Sequence, residues 1–147
     1  MRNYDIYLIE NEVASHYFGR EQVLYHFFVE ASHPVPSLVN IIERQYKYIT
    51  RSIPYHVFDY HINKIDSMRK GFKIKKEDQQ MTIYSTGSRA VVTNRGRKLK
   101  LISTGSFEAE TLVFEHLRKI ENSFLAVDLE GNSIGWLSPI KQAYYIL

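Results

Sequence analysis

The chain has 147 residues, of which 44% are hydrophobic and 24% charged, with a formal net charge of +3. This is the composition of an ordinary folded domain and argues against a disordered chain. The sequence contains no cysteine, which excludes disulfide bonds, thiolate metal sites and cysteine nucleophiles and fits a reducing cytoplasm. No apolar run approaches the ~20 residues of a membrane span, and no signal-peptide pattern opens the chain. We therefore expect one cytoplasmic domain over residues 1–147.

The N-terminal part of the sequence predicts a strand followed by a long helix. Residues 4–9 carry apolar side chains on both faces, which is typical of an inner strand of a sheet. Residues 11–28 follow with helical spacing, in which Val13 and Tyr17 share one apolar stripe. This prediction places Gly19 in the middle of a single helix, where it costs about 1 kcal/mol relative to alanine.

Two further helices are predicted after a proline-containing break. The segment 32–36 contains two prolines, each of which biases the preceding residue away from helical backbone angles. A second helix begins at Ser37 and places Gln45 and Tyr48 one turn apart on nearly the same side. Residues 55–65 form a third, weaker helix.

The second half of the sequence predicts hairpins around a fourth helix. Residues 141–147 are a candidate for a short helix at the end. The predicted fold class is α+β, a mostly antiparallel sheet with helices packed on it, in the order β-α-α-α-β-β-β-α-β-β. The predicted elements of this half are strands at 81–85, 90–94 and 99–103, a helix at 108–121, and a hairpin of strands at 124–127 and 134–137.

The sequence shows no coherent catalytic or metal site. His56 and His61 are the densest histidine pair, but residues five apart on a helix point about 140° apart and do not chelate one ion. Glu108 and Glu110 lie on different helix faces and do not form an acid–base pair. A nucleophile elbow and a phosphate-binding glycine loop are both missing. We expect no enzymatic activity, no metal, no cofactor and no small-molecule substrate.

Basic residues line the predicted hairpins over residues 89–100. A ribbon of this kind can follow a phosphate backbone, which makes a nucleic-acid-binding module the second candidate function. Lysine and arginine also commonly guard edge strands against aggregation, and aromatic residues for base stacking are few, namely Phe72 and Tyr84. The sequence favours the guarded edge. The basic residues are Arg89, Arg95, Arg97, Lys98 and Lys100.

Four stretches, in chain order, are similar to one known protein family. They are HYFGRE at 16–21, QYKYIT at 45–50, EAET at 108–111, and FLAVD at 124–128 followed by GWL at 135–137. Together they resemble the sporulation inhibitor of replication proteins, the SirA family, over nearly the whole chain. Residues 55–103 match the family poorly.

The resemblance implies a protein that binds the N-terminal domain of the replication initiator DnaA and blocks new rounds of chromosome replication during sporulation. It implies a binding surface with Tyr17 on the first helix, Gln45 and Tyr48 on the second, and Thr50 beside them. The family favours an aromatic residue at the position of Val13. Tyrosines supply rigid contact area, and an amide side chain both donates and accepts hydrogen bonds. No direct contact with nucleic acid or a membrane is expected.

Overall fold

An antiparallel sheet is the framework of the protein. The structure is a computed structural model that describes residues 1–66 and 71–138, so the candidate helix at 141–147 lies outside the described residues. The sheet has eight strands in the described residues. They are β1 (Arg2–Ile9), β2 (Thr50–Arg51), β3 (Phe72–Glu77), β4 (Gln80–Ser85), β5 (Ser88–Asn94), β6 (Lys98–Gly105), β7 (Phe124–Asp128) and β8 (Ser133–Trp136).

Strand β1 is an inner strand of the sheet, as its sequence predicts. The strand order is β3-β4-β5-β6-β1-β7-β8, so β1 pairs with β6 on one side and β7 on the other. The short strand β2 lies beyond the end of β6 on the same side of β1, where it pairs with Leu8 and Ile9. Strands β2 and β3 are absent from the sequence prediction, whereas the other six are confirmed within a few residues.

Five helices of the described residues cover the sheet, and their positions confirm the α+β class. A short 3₁₀ turn (Pro36–Leu38) leads into the third of them. The first three helices pack on one face of the sheet, and the last two pack on the other. The helices are α1 (Asn11–His16), α2 (Glu21–Ser32), α3 (Val39–Ile49), α4 (Tyr55–Asp66) and α5 (Glu108–Ile120).

The two faces of β1 anchor two separate cores. Ile6 and Leu8 point into the core beneath α4 and α5, together with residues such as Phe58. Tyr7 and Ile9 point into the core beneath α1 and α2. Successive residues of a strand face opposite sides of the sheet, so a strand that is apolar on both faces needs helices packed on each of them.

The single helix predicted for residues 11–28 is wrong, because the chain breaks into α1 and α2. Helix α1 ends at His16, and Gly19 follows with a φ of 80°, in the left-handed region that favours glycine. The Arg20 amide donates to the carbonyl oxygen of Tyr17 at 2.8 Å, closing a turn before α2 begins. The glycine therefore allows a turn and is not a cost inside a helix.

We predict that Gly19→Ala destabilises the protein by about 1–2 kcal/mol, because a Cβ is strained at a left-handed backbone conformation. A mid-helix glycine would instead give a gain of roughly 1 kcal/mol on the same change. Urea unfolding measures the difference. Gly135→Ala is the matched control, since that glycine has no positive φ and no atom near an added Cβ. A Gly19→Ala variant more stable than the parent would contradict the turn.

Candidate partner-binding groove

A surface groove of about 560 Å³ lies between the α1–α2 pair and α3. Four of the five predicted site residues line it: Val13, Tyr17, Gln45 and Tyr48. The fold thus brings two distant segments of the sequence onto one surface. The remaining lining residues are Val23, Leu24, Phe27, Arg44 and Ile49.

The groove has an apolar floor and an accessible rim. Val13 is 9% exposed and belongs to the core beneath α1 and α2, so it forms part of the floor. Tyr48 is 73% exposed, Gln45 is exposed and Tyr17 is half-buried. A concave apolar surface with a few polar groups at its rim is the usual form of a recognition site.

Helices α2 and α3, on opposite sides of the groove, both pack on one aromatic ring of β1. The ring of Phe28 on α2 stacks on that of Tyr7, with centroids 4.0 Å apart and planes inclined by 12°. Tyr46 on α3 meets the same ring edge-on at 6.0 Å. Burial raises the pKa of Tyr46, partly offset by Arg97, so its phenol stays neutral beneath the helix.

Thr50, the fifth predicted site residue, lies below the groove and is 1% exposed. Its hydroxyl donates to the carbonyl oxygen of Tyr46 at 2.6 Å, at the end of α3. Its own carbonyl oxygen accepts from the Arg97 guanidinium at 2.7 Å, and its backbone pairs with Ile9 of β1. Thr50 therefore fixes the end of α3 to the sheet.

The turn between α1 and α2 holds Tyr17 at the rim. The Arg20 side chain is exposed, donates to the carbonyl oxygen of His16 at 2.8 Å, and lies over the Tyr17 ring at 5.4 Å. Arg20 is thus at the surface, beside the rim of the groove. The Glu21 carboxylate accepts from the Gly19 amide at 2.9 Å and from the Trp136 indole at 3.1 Å. The turn is therefore tied to strand β8.

The Glu21 carboxylate is stabilised as an anion by these contacts. Partial burial by itself would raise the pKa of Glu21. Hydrogen bonds from its own amide, from the Gly19 amide and from the Trp136 indole outweigh burial and lower that pKa. The tie between the turn and β8 is consequently strongest when Glu21 is ionised.

Sequence reasoning assigned none of the other five lining residues to the site, among them Val23, Phe27 and Arg44. Val23 is 51% exposed, and Phe27 follows one turn later on α2. Arg44 is exposed on α3, and the described residues offer it no ion pair. Val23 and the partly buried Phe27, two apolar residues one turn apart beside the main apolar stripe, are a signal that could have marked this side of α2.

The candidate catalytic and metal residues weighed in the sequence do not assemble into a site. Within the described residues, no three side chains of the kinds that ligate metals come together, and His56 and His61 gain no such partners. Glu110 is 2% exposed; it is paired with Arg2 and accepts from the Ser103 hydroxyl at 2.9 Å. These contacts give Glu110 a structural role. None of the described helices is long and apolar enough to cross a membrane.

The basic hairpin region 89–100 is partly engaged by the fold. Arg97 is bound to Thr50, as described above. Lys98 and Lys100 lie 3.8 and 3.3 Å from the buried carboxylate of Asp5. Only part of this charge is therefore free for a ligand.

The fold and the groove define a small α+β protein with an amphipathic groove on its three-helix face. The family model described as sporulation inhibitor of replication protein SirA matches residues 2–141. The sporulation inhibitor of replication protein SirA of Bacillus subtilis (strain 168) is 30% identical over 151 residues, covering 99% of each chain. The chain belongs to the SirA family, which confirms the resemblance found in the sequence. The family is one of regulatory inhibitors, as its name states.

We predict that Glu21→Gln destabilises the protein near neutral pH and that the deficit shrinks as the pH falls. The folded-state pKa of Glu21 is lowered. Its stabilisation is therefore present above the ordinary glutamate pKa of 4.5 and is lost as the pH falls below that value and through the lower folded-state pKa. Urea unfolding of parent and variant from neutral to acidic pH measures the gap. Glu30→Gln, on the same helix and without a described side-chain hydrogen bond, is the control; a gap for Glu21→Gln that stays constant with pH would contradict the assignment.

Proposed function

We propose that this protein inhibits the initiation of chromosome replication by binding the N-terminal domain of the initiator DnaA through the groove between α1–α2 and α3. Membership of the SirA family supports the replication-inhibiting role in sporulation. One observation carries the choice of surface: residues that the family resemblance implicates on two separate helices line the same groove. These residues are Val13, Tyr17, Gln45 and Tyr48.

The rim of the groove supplies the anchors of the proposed complex. Tyr17 and Tyr48 offer large side chains with few rotatable bonds, and tyrosine is enriched among residues that dominate binding energy. Gln45 lies one turn from Tyr48 and provides a donor and an acceptor that fix the register of the partner. Arg44 adds a charge that the described part of the chain leaves unpaired.

The floor of the groove receives an apolar side chain of the partner. Val13, Leu24 and Ile49 form apolar surface there, flanked by the partly exposed Val23. A valine at position 13, where the family favours an aromatic residue, leaves more depth for the incoming group. Thr50 acts from below, by holding the end of α3.

Inhibition by occupying the partner's binding surface needs no chemical reaction. The initiator assembles and recruits partners through its N-terminal domain, so a protein that occupies that domain removes the surface from use. The complex would form in the cytoplasm, where the initiator meets the chromosome. Affinity and shape are the properties that the groove has to supply.

We predict that Tyr17→Ala and Tyr48→Ala each weaken binding to the N-terminal domain of DnaA by about 2 kcal/mol or more, which is roughly thirtyfold in Kd. Gln45→Ala weakens it to a smaller extent. Isothermal titration calorimetry with the purified domain measures the effect. Tyr60→Ala is the matched control, since Tyr60 is a 58% exposed tyrosine on α4, across the sheet.

Thermal unfolding separates loss of binding from loss of structure. We expect the melting temperature of Tyr48→Ala to stay close to that of the parent, because Tyr48 is largely exposed. Parent-like binding by both tyrosine variants would exclude the groove as the docking surface. Equal weakening by Tyr60→Ala would also exclude it.

We also predict that binding of the DnaA domain changes little between about 50 and 200 mM salt, because the groove depends mainly on apolar area and neutral hydrogen bonds. Replacing Arg89 and Arg95 together with serine should leave this affinity nearly unchanged, while Lys98 and Lys100 are kept because they neutralise the buried carboxylate of Asp5. Arg97 is kept, because it holds Thr50 in place. A steep fall in affinity with salt, abolished in the serine variant, would move the contact surface to the basic hairpins.

A further inference from the structure

Half of one sheet face is left uncovered by the helices of the described residues. The core beneath α1 and α2 takes its strand residues from β1, β7 and β8, and none from β3, β4, β5 or β6. On these four strands the opposite face packs beneath α4 and α5. We call the uncovered half, formed by β3 to β6, the open sheet face.

Strand register builds two rows of side chains across the open sheet face. Partners directly opposite each other in antiparallel strands share a face and lie about 5 Å apart. The first row runs Lys73–Tyr84–Arg89–Thr104, and the second runs Lys75–Thr82–Val91–Ile102. A tyrosine thus sits between two cations, beside the half-buried Val91 and Ile102 and the buried Thr82.

The charge of this face is strongly positive. Arg89 lies over the Tyr84 ring at 5.7 Å, and Lys73 has no ion-pair partner among the described residues. Lys75 lies 3.9 Å from Glu77, at one end of the face. Lys98 and Lys100 share the single carboxylate of Asp5.

Protection of a sheet edge does not account for these cations. Strand β3 is the edge strand on this side, but Arg89 lies on β5, and Lys98 and Lys100 lie on β6. Strands β5 and β6 are paired on both sides, so they present no free edge to guard. Protection of an exposed edge, the interpretation favoured by the sequence, therefore explains only the cations on β3.

We propose that the open sheet face binds single-stranded nucleic acid. Lys73, Lys75, Arg89 and Lys100 contact phosphates, and a base stacks on Tyr84. An aromatic ring set among cations suits unpaired bases, since in a duplex the base faces are stacked and hidden. This contradicts the sequence-based expectation of no direct nucleic-acid contact, and it is independent of the DnaA-binding groove.

The test is fluorescence anisotropy of the full chain with labelled oligothymidylate of about 20 nucleotides. With four phosphate contacts, affinity should fall roughly fiftyfold between about 50 and 200 mM salt, a slope of about −3 in log affinity against log salt. Lys73→Ser/Arg89→Ser should halve that slope. The control Lys64→Ser/Lys119→Ser carries the same net charge and should behave like the parent, because both lysines are exposed on α4 and α5, which pack on the opposite face of the sheet.

The role of Tyr84 separates stacking from general attraction to polyanions. Tyr84→Ala should weaken oligothymidylate binding about tenfold, whereas Tyr84→Phe keeps the ring and should bind like the parent. Thermal unfolding checks that each variant is folded. Three results would overturn the proposal: no oligothymidylate binding at about 50 mM salt, equal losses in the control variant, or equally tight binding of duplex DNA or polyglutamate with no effect of Tyr84→Ala.

Discussion

The ring of Tyr7, on the inner strand β1, packs against both α2 and α3, the helices on either side of the groove. Phe28 stacks on it from α2, and Tyr46 meets it edge-on from α3, so both helices contact the same side chain. Tyr7 is 5% exposed, and its strand is paired on both sides by β6 and β7. The surface that we propose for DnaA therefore rests on a buried inner strand of the sheet.

Two further ties hold the walls of the groove in place before any partner arrives. Glu21 joins the α1–α2 turn to Trp136 of β8, and Thr50 joins the end of α3 to Arg97 and β1. Both ties are made by polar groups at helix ends, where backbone groups otherwise lack partners. A surface fixed in this way loses little conformational freedom on binding, which favours affinity.

The sequence predicts most of this fold, since apolar periodicity marks six of the eight described strands. It misses β3, in which only Phe72 and Ile74 alternate with lysines before a fully charged end, and the two-residue β2, which is recognised only by its pairing with β1. Gly19 was recognised as unusual, but spacing by itself continues a helix through it. The resemblance predicts four of the residues that line the groove. It does not predict the further lining residues Val23 and Arg44, because these come together only when α2 and α3 pack against Tyr7.

The most direct test of the account is an NMR titration of the isotope-labelled chain with the unlabelled N-terminal domain of DnaA. The account predicts that amide signals shift around Tyr17 and along the rim formed by Gln45 and Tyr48, with smaller changes at Val23. Signals of α4 and α5, on the opposite face of the sheet, should stay in place. Shifts concentrated on α4 and α5, or no shifts at a saturating concentration of the domain, would contradict the central claim.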